Sequence, residues 1–468
     1  MMILKYMYQR SVLLYAILLM AVSAIFYSHI LPFIWMVFGI TVVFLSFSSM
    51  CRLIRQWFHL PEKAFRKKVF WTAFWVRAAY VLFSYFFYIF MTSLPFEFET
   101  ADARMYHWEG IRLAKFFMAG NFDVGSLTFL SKLSSQGIVT LMGIIYALSS
   151  DSIIAFRIVN SLLGAWLCVM VFDIARRSFG EKAARISAVL AVVAPPLIYY
   201  CGLHLKEAVI VFLVVLFVDI GDRVLRAKQL SIRDILLLGV TAVLMVFFRN
   251  ALAVILIVGF AAALTFTSGR LSPAFRRFAI ASVMVFFAVA VFTLDLVSEA
   301  EEETVRYLGY RETHIESHMQ RYARRGNELA TLANRIIFAP LAFVGPLPTL
   351  VDTQQDNSAM MAGSMFFRNV LGFFMIAGIL LMVKHRQWRN HVFLLAVFFL
   401  WLFVLANSGY ALQDRFHLIL VPIILIFSGN FILNADKKMV KYFNMYLLFL
   451  GVLIFAWNTF KLAGRGLL

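Results

Sequence analysis

Charge is scarce in this sequence, and acid scarcer still: 15% of the 468 residues are charged, with 25 Asp and Glu against 43 Lys and Arg. Soluble domains carry about a quarter charged residues, so this composition, 62% hydrophobic with a mean hydropathy of +0.84, excludes an ordinary soluble protein. Cysteine is nearly missing. Cys51, Cys168 and Cys201 lie far apart in or beside apolar segments, form neither a CxxC pair nor a disulfide framework, and read as small core residues. Transporter-type internal repeats and low-complexity tracts are also missing, which disfavours a transporter. The surplus of bases, a net charge of +18, suggests nucleic acid at first sight. The bases cluster in short loops between apolar runs, as in the cytoplasmic loops of membrane proteins, so no nucleic-acid partner is expected.

What the chain has in quantity is apolar length. A spanning helix needs roughly 20 apolar residues. That criterion predicts spans at 11–28, 31–48, 70–93, 152–175, 184–200, 205–222, 234–248, 250–267, 275–297, 366–383, 391–407, 415–432 and 442–460. The basic loops 49–69, 176–185, 223–233, 270–277, 384–389 and 437–441 then share the cytoplasmic side, toward which Arg77 would snorkel. This holds only if Gly137 to Leu148 does not cross; its short length suits a juxtamembrane or re-entrant helix. Lys5, Arg10 and the small residues Ala21 to Ala24 resemble a signal peptide, but a second apolar run, Leu31 to Phe47, favours an uncleaved hairpin.

The expected fold is an all-α polytopic transmembrane helical bundle of about 13 spans with two long outer loops carrying amphipathic juxtamembrane helices. Its parts are an N-terminal hairpin and basic loop (1–69), a transmembrane module (70–297) with the first outer loop (94–151), a second outer loop (298–365), and C-terminal helices (366–468). Loops this long are usually functional. In the second, Pro340, Pro346 and Pro348 break an apolar run over 336–350 into a partly embedded, non-spanning stretch.

Glu97, Glu99 and Asp102 precede an amphipathic pattern over 103–119. Met105, Trp108, Ile111, Leu113, Phe116 and Phe117 would lie along the membrane, with Arg104, Arg112 and Lys115 toward water. Asp102 has two compatible readings: N-cap of that helix, or a base, helped by Glu99, that deprotonates a hydroxyl or orients a metal. Glu97 and Glu109 read as solvated neighbours. Arg311, His314, His318, Arg321 and Arg325, spaced 3-4-3-4, line one helical face. That face is either a cationic row at phosphate height or a solvated surface neutralised by nearby acids. His204, Lys206, Glu207, Arg249, Arg368, Asp414 and Arg415 all fall at outer ends of predicted spans, placed to surround one cavity.

Several runs carry a resemblance. They are Asp102-Ala103-Arg104-Met105-Tyr106, Arg157, Ala175 to Gly180, Pro195-Pro196, Leu205-Lys206-Glu207, and Asn407-Ser408-Gly409 through Asp414-Arg415-Phe416 to Pro422. Together, over roughly residues 70–430, they resemble the GT-C class of polyprenyl-phosphate-sugar-dependent membrane glycosyltransferases, which includes protein O-mannosyltransferase-like and lipid A aminoarabinose transferase-like enzymes. The resemblance implies transfer of a sugar from a polyprenyl-phosphate donor to a lipid, glycan or protein acceptor at the periplasmic face of a bacterial inner membrane. It makes Asp102 the catalytic or metal-orienting carboxylate, with a divalent cation (Mg or Mn) as candidate cofactor. With that chemistry Lys206, Arg249, Arg415 and the Arg311–Arg325 face are phosphate-binding candidates, and Tyr106, His107, His204 and Glu207 line the acceptor site or cavity. The chain departs from members with paired acids, since Ala103 follows Asp102; Glu99 is the candidate second carboxylate. The hairpin before residue 70 is an addition. The alternatives are an O-antigen-type polymerase or ligase, in which the second loop is catalytic, and a lipid-linked saccharide transporter.

Overall fold

The computed structural model describes residues 2–98, 101–121, 133–227, 231–266, 344–407, 413–436 and 438–463. Among them every regular element is a helix, and the one strand-like pairing is a bridge between Ile30 and Val351. In lipid a backbone must satisfy its own hydrogen bonds, which a helix does within one segment. Nine of the described helices are long and apolar enough to cross a membrane, or ten if one bent pair counts as a span. The predicted span 275–297 lies outside the described residues, as does most of the second outer loop.

Two helices, α1 (Met2–Ile25) and α2 (Phe33–Trp57), form the N-terminal hairpin, and α3 (Glu62–Thr92) follows. Helix α4 (Ala101–Met118) packs on α5 (Leu133–Ser149), which at 17 residues is not among the nine, in keeping with the non-crossing reading. Helix α6 (Ile153–Phe179) ends at Gly180, whose φ of +85° lets the chain turn directly into α7 (Glu181–Val193). Pro195 then starts the short α8 (Pro195–Tyr199), bending this span by 51°.

That bend explains Arg77, which does not snorkel as expected. It is fully buried and donates to Ala191 O at 3.0 Å, Ala73 O at 3.1 Å and Cys168 Sγ at 3.4 Å. Pro195 has no N–H to give the carbonyl four residues earlier, and the Arg77 guanidinium supplies that missing donor.

Helix α9 (Glu207–Arg226) carries Asp219, Asp222 and Arg223 in its last turns and is not among the nine. The predicted spans 234–248 and 250–267 form one helical run, α10 (Ile232–Phe266), interrupted at Arg249 (φ −164°, ψ 96°). Both outer ends of α10 lie at one end of the bundle. Asp234 pairs with Arg223 at 3.5 Å; Phe266 packs against Trp388, two residues from Asn390, whose carbonyl accepts from Arg226. The run therefore doubles back at Arg249. The remaining helices are α11 (Asp356–Lys384), α12 (Val392–Asn407), α13 (Asp414–His417), α14 (Val421–Asn434) and α15 (Met439–Ala463).

Helix contacts are close where side chains are small, as is usual where lipid removes the hydrophobic drive between helices. A Cβ on Gly363 of α11 would stand 2.7 Å from the Gly39 carbonyl of α2. The end of the bundle that holds the predicted basic loops is fastened by ion pairs. Arg66 joins Asp173 (2.7 Å), Arg177 joins Asp219 and Asp222 (2.6 Å each), and Arg226 joins Asp222 (2.7 Å). Arg185 donates to Trp57 O, and Phe179 stacks on His391. The described parts of loops 49–69, 176–185, 223–233 and 384–389 thus gather at one end, as their charge predicts.

The described part of 336–350 is irregular and buried from Gly345 to Leu350. Side chains of spans satisfy its backbone: Asn458 accepts from Leu350 N and donates to Pro348 O, Asn369 donates to Val344 O and Pro346 O, and Arg368 donates to Gly345 O. Irregular backbone at such depth is tolerable when protein encloses it. The N-terminal hairpin also acquires a structural role. Trp35 donates to Asp356 at 3.0 Å and meets Phe98 edge-on, while Asn357 donates to Phe98 O, so the hairpin and α11 together hold the end of the acidic loop.

Candidate active site

Helix α4 has two faces. Ala103, Tyr106, His107, Gly110, Leu113 and Ala114, at helical spacing, are buried; Arg104, Met105, Trp108, Arg112 and Lys115 are exposed. Leu113, expected along the membrane, instead packs against Gly143 of α5. Asp102 is the second residue of the helix, inside its first turn, so the N-cap reading is corrected: a cap must precede the first helical residue. Its carboxylate points instead to Arg415, with Nη1 to Oδ2 at 2.8 Å.

Asp102 lines a cavity of about 120 Å³ with Tyr106, Ser134, Leu205, Lys206, Glu207, Arg249, Arg415 and Phe416. Six of these, Asp102, Tyr106, Lys206, Glu207, Arg249 and Arg415, are residues the sequence singled out, and the fold brings them together across more than 300 positions. Ser134 sits in the first turn of α5, Glu207 opens α9, and Arg249 stands at the turning point of α10. Two acid–base couples share the space. Arg415 holds Asp102, with the side chains 34% and 46% exposed, and Arg249 meets the buried Glu207 at 3.4 Å. Both guanidiniums lie over the ring of Phe416, at 4.7 Å for Arg249 and 5.0 Å for Arg415, a shared cation–π platform. Lys206 Nζ donates to Ser134 O at 2.7 Å. Burial, with the charges of Glu207 and Asp102, raises the Tyr106 hydroxyl above its ordinary value, so it stays protonated and can donate.

His107 and His204, expected in the cavity, do not line it. They form a buried pair bridged by Tyr146, whose hydroxyl lies 2.8 Å from His107 Nδ1 and 2.7 Å from His204 Nε2, with Phe96 and Phe156 against the rings. Their neighbours in sequence, Tyr106 and Leu205, point to the cavity while these two turn into the core. Glu97 is a second correction. It is buried rather than solvated, set against Arg157 and accepting from the backbone of Glu97 and His204. Arg157, itself fully buried, donates to Pro95 O at 2.6 Å and so pins the acidic loop. Glu109 is only partly exposed and pairs with Arg112 at 3.5 Å. Arg368 and Asp414 stand behind the cavity: Arg368 contacts His417 Nδ1 at 2.9 Å, and Asp414 bonds Tyr200. Glu99, Arg311, His314, His318, Arg321 and Arg325 lie outside the described residues.

The donor set does not fit a resident divalent cation. Asp102 and Glu207 each face a guanidinium, and among the described residues no three His, Cys, Asp or Glu side chains gather to hold a metal.

Burial lowers both His107 and His204 below the ordinary 6.5, with Arg157 adding to the effect at His204. The folded state therefore binds fewer protons than the unfolded chain below about pH 6.5, so their contribution to stability is complete above that pH and is lost as pH falls. Wild type in detergent should melt lower at pH 5 than at pH 8, and His204→Gln should reduce that difference. An unchanged pH dependence in the variant would rule out this linkage.

The number, length and composition of the apolar helices define a multi-pass α-helical membrane protein. The chain matches no protein-family model and no curated protein.

Proposed function

We propose that the protein is an integral-membrane glycosyltransferase that moves a sugar from a polyprenyl-phosphate donor to a lipid, glycan or protein acceptor at this cavity. One observation carries the reading: an acid suited to act as base, Asp102, shares a small cavity with three cations, Lys206, Arg249 and Arg415. An acceptor hydroxyl attacks the anomeric carbon, the bond from that carbon to the phosphate oxygen breaks, and the hydroxyl proton passes to Asp102. The departing lipid phosphate gains one negative charge, which Lys206 and Arg415 stabilise; preorganised cations at a developing anion are usually the largest catalytic term.

In this reading the cavity faces the periplasm of a bacterial inner membrane, and the ion-paired end of the bundle, rich in bases, faces the cytoplasm. Each half of α10 crosses, bringing Arg249 to the outer side, and α9 crosses beside it. With 275–297 the count returns to about 13. The exposed Met105 and Trp108 of α4 lie in the interface near the donor lipid.

The test is transfer by purified protein in detergent micelles, with a panel of polyprenyl-phospho-hexoses and -pentoses as donors and a cell-envelope fraction as acceptor. Label should reach the acceptor without any second compartment; failure of every donor both to bind and to transfer overturns the proposal. A polymerase-type enzyme would lose more activity from Arg321→Ala than from Asp102→Ala, and the present reading requires the reverse.

A further inference from the structure

Glu207 is only 3% exposed, and although its Oε1 meets Arg249 Nη2, its Oε2 is buried with no hydrogen-bond partner among the described residues. Arg249 Nη1 is likewise buried and unpartnered. Buried polar atoms are nearly always satisfied, and leaving one unpaired is costly. Both residues line the cavity. The couple therefore leaves one acceptor and one donor unsatisfied, on two side chains whose charges offset each other.

We propose that Glu207 and Arg249 form the subsite that reads hydroxyls of the donor sugar, an inference that rests on the glycosyltransferase reading and assigns the sugar end of the cavity. A phosphate there would meet the Glu207 carboxylate, and an ammonium would meet the Arg249 guanidinium. A neutral hydroxyl suits both: its proton goes to Glu207 Oε2 and its oxygen accepts from Arg249 Nη1, and two adjacent ring hydroxyls can engage the couple together. The phosphate then lies toward Arg415 and Lys206, beside Asp102. Arg249 thus acts mainly on the sugar rather than on the phosphate.

The experiment compares binding of sugar-free polyprenyl phosphate, a panel of polyprenyl-phospho-hexoses, and mono-deoxy forms of the tightest hexose, on wild type and Glu207→Gln. A hydrogen bond to a charged group supports about a 10- to 100-fold loss of hexosyl-donor affinity in Glu207→Gln, with sugar-free lipid phosphate bound as tightly as by wild type or more tightly, since Glu207 also acts on Arg415. One deoxy position should weaken wild type about tenfold and Glu207→Gln not at all, the non-additivity that marks a direct contact. Equal weakening of both lipids by Glu207→Gln, or wild type binding every mono-deoxy donor as tightly as the parent hexosyl lipid, overturns the subsite. Should Glu207→Gln not fold, the deoxy series on wild type and Arg249→Lys decides the matter: loss of discrimination between deoxy and parent sugar in Arg249→Lys supports the subsite, and retained discrimination overturns it. Failure of wild type to bind any of these lipids would instead overturn the glycosyltransferase reading.

Discussion

Asp102→Asn will lower sugar transfer by about three orders of magnitude while leaving donor binding intact, the scale of a general base in other enzymes. The amide keeps the shape of the carboxylate and can still accept from Arg415, whose Nη1 lies 2.8 Å from Asp102 Oδ2. A pair exposed to this extent contributes roughly 0–1 kcal/mol to stability, so the fold should survive the change. Donor affinity should hold or rise, because the variant removes a carboxylate that competes with the lipid phosphate for Arg415. Turnover of a chosen donor and its dissociation constant, measured on the same preparation, check both halves. Near-normal turnover would exclude Asp102 as the base, and a parallel loss of binding would make it a structural residue.

Arg415→Gln should reduce kcat by about 10²- to 10³-fold, the usual consequence of removing one donor aimed at a developing anion. Arg415→Lys should recover part of that loss, since the charge remains while the planar fork that grips Asp102 and lies on Phe416 does not. Unlike Glu207→Gln, the change should weaken sugar-free polyprenyl phosphate as much as the glycosylated lipid. Turnover within tenfold of wild type would mean that the leaving phosphate is stabilised by other groups.

The positions of Asp102, Lys206, Arg249 and Arg415 were legible because a charge beside a long apolar run is costly and stands out. Which way a neighbouring side chain turns was not. Tyr106 and His107 are adjacent, yet one lines the cavity and the other bonds Tyr146, a difference set by the packing of α4 on α5. Lys206 and His204 divide in the same way. Arg77 was misread because its partner carbonyl, Ala191 O, is freed by a proline more than 110 residues downstream. Glu97 was misread because its burial against His204 and Arg157 depends on contacts across the chain. The apolar runs fared better, since lipid demands their length wherever they occur. The break at Arg249 was legible as a boundary between two spans, though not that a single non-helical residue would reverse the run.

The placement of the helix ends has an electrostatic consequence. Helices α4, α5 and α9 begin at the cavity, at Asp102, Ser134 and Glu207, while at Arg249 the end of one half of α10 meets the start of the other and their dipoles offset. Each of these helix starts carries about half a positive charge from its macrodipole. The backbone therefore gives the cavity a standing positive potential that no side-chain substitution removes. It also explains how Asp102 and Glu207 are tolerated at first-turn positions, and it means that replacing one cation should weaken an anionic ligand by degrees rather than abolish its binding.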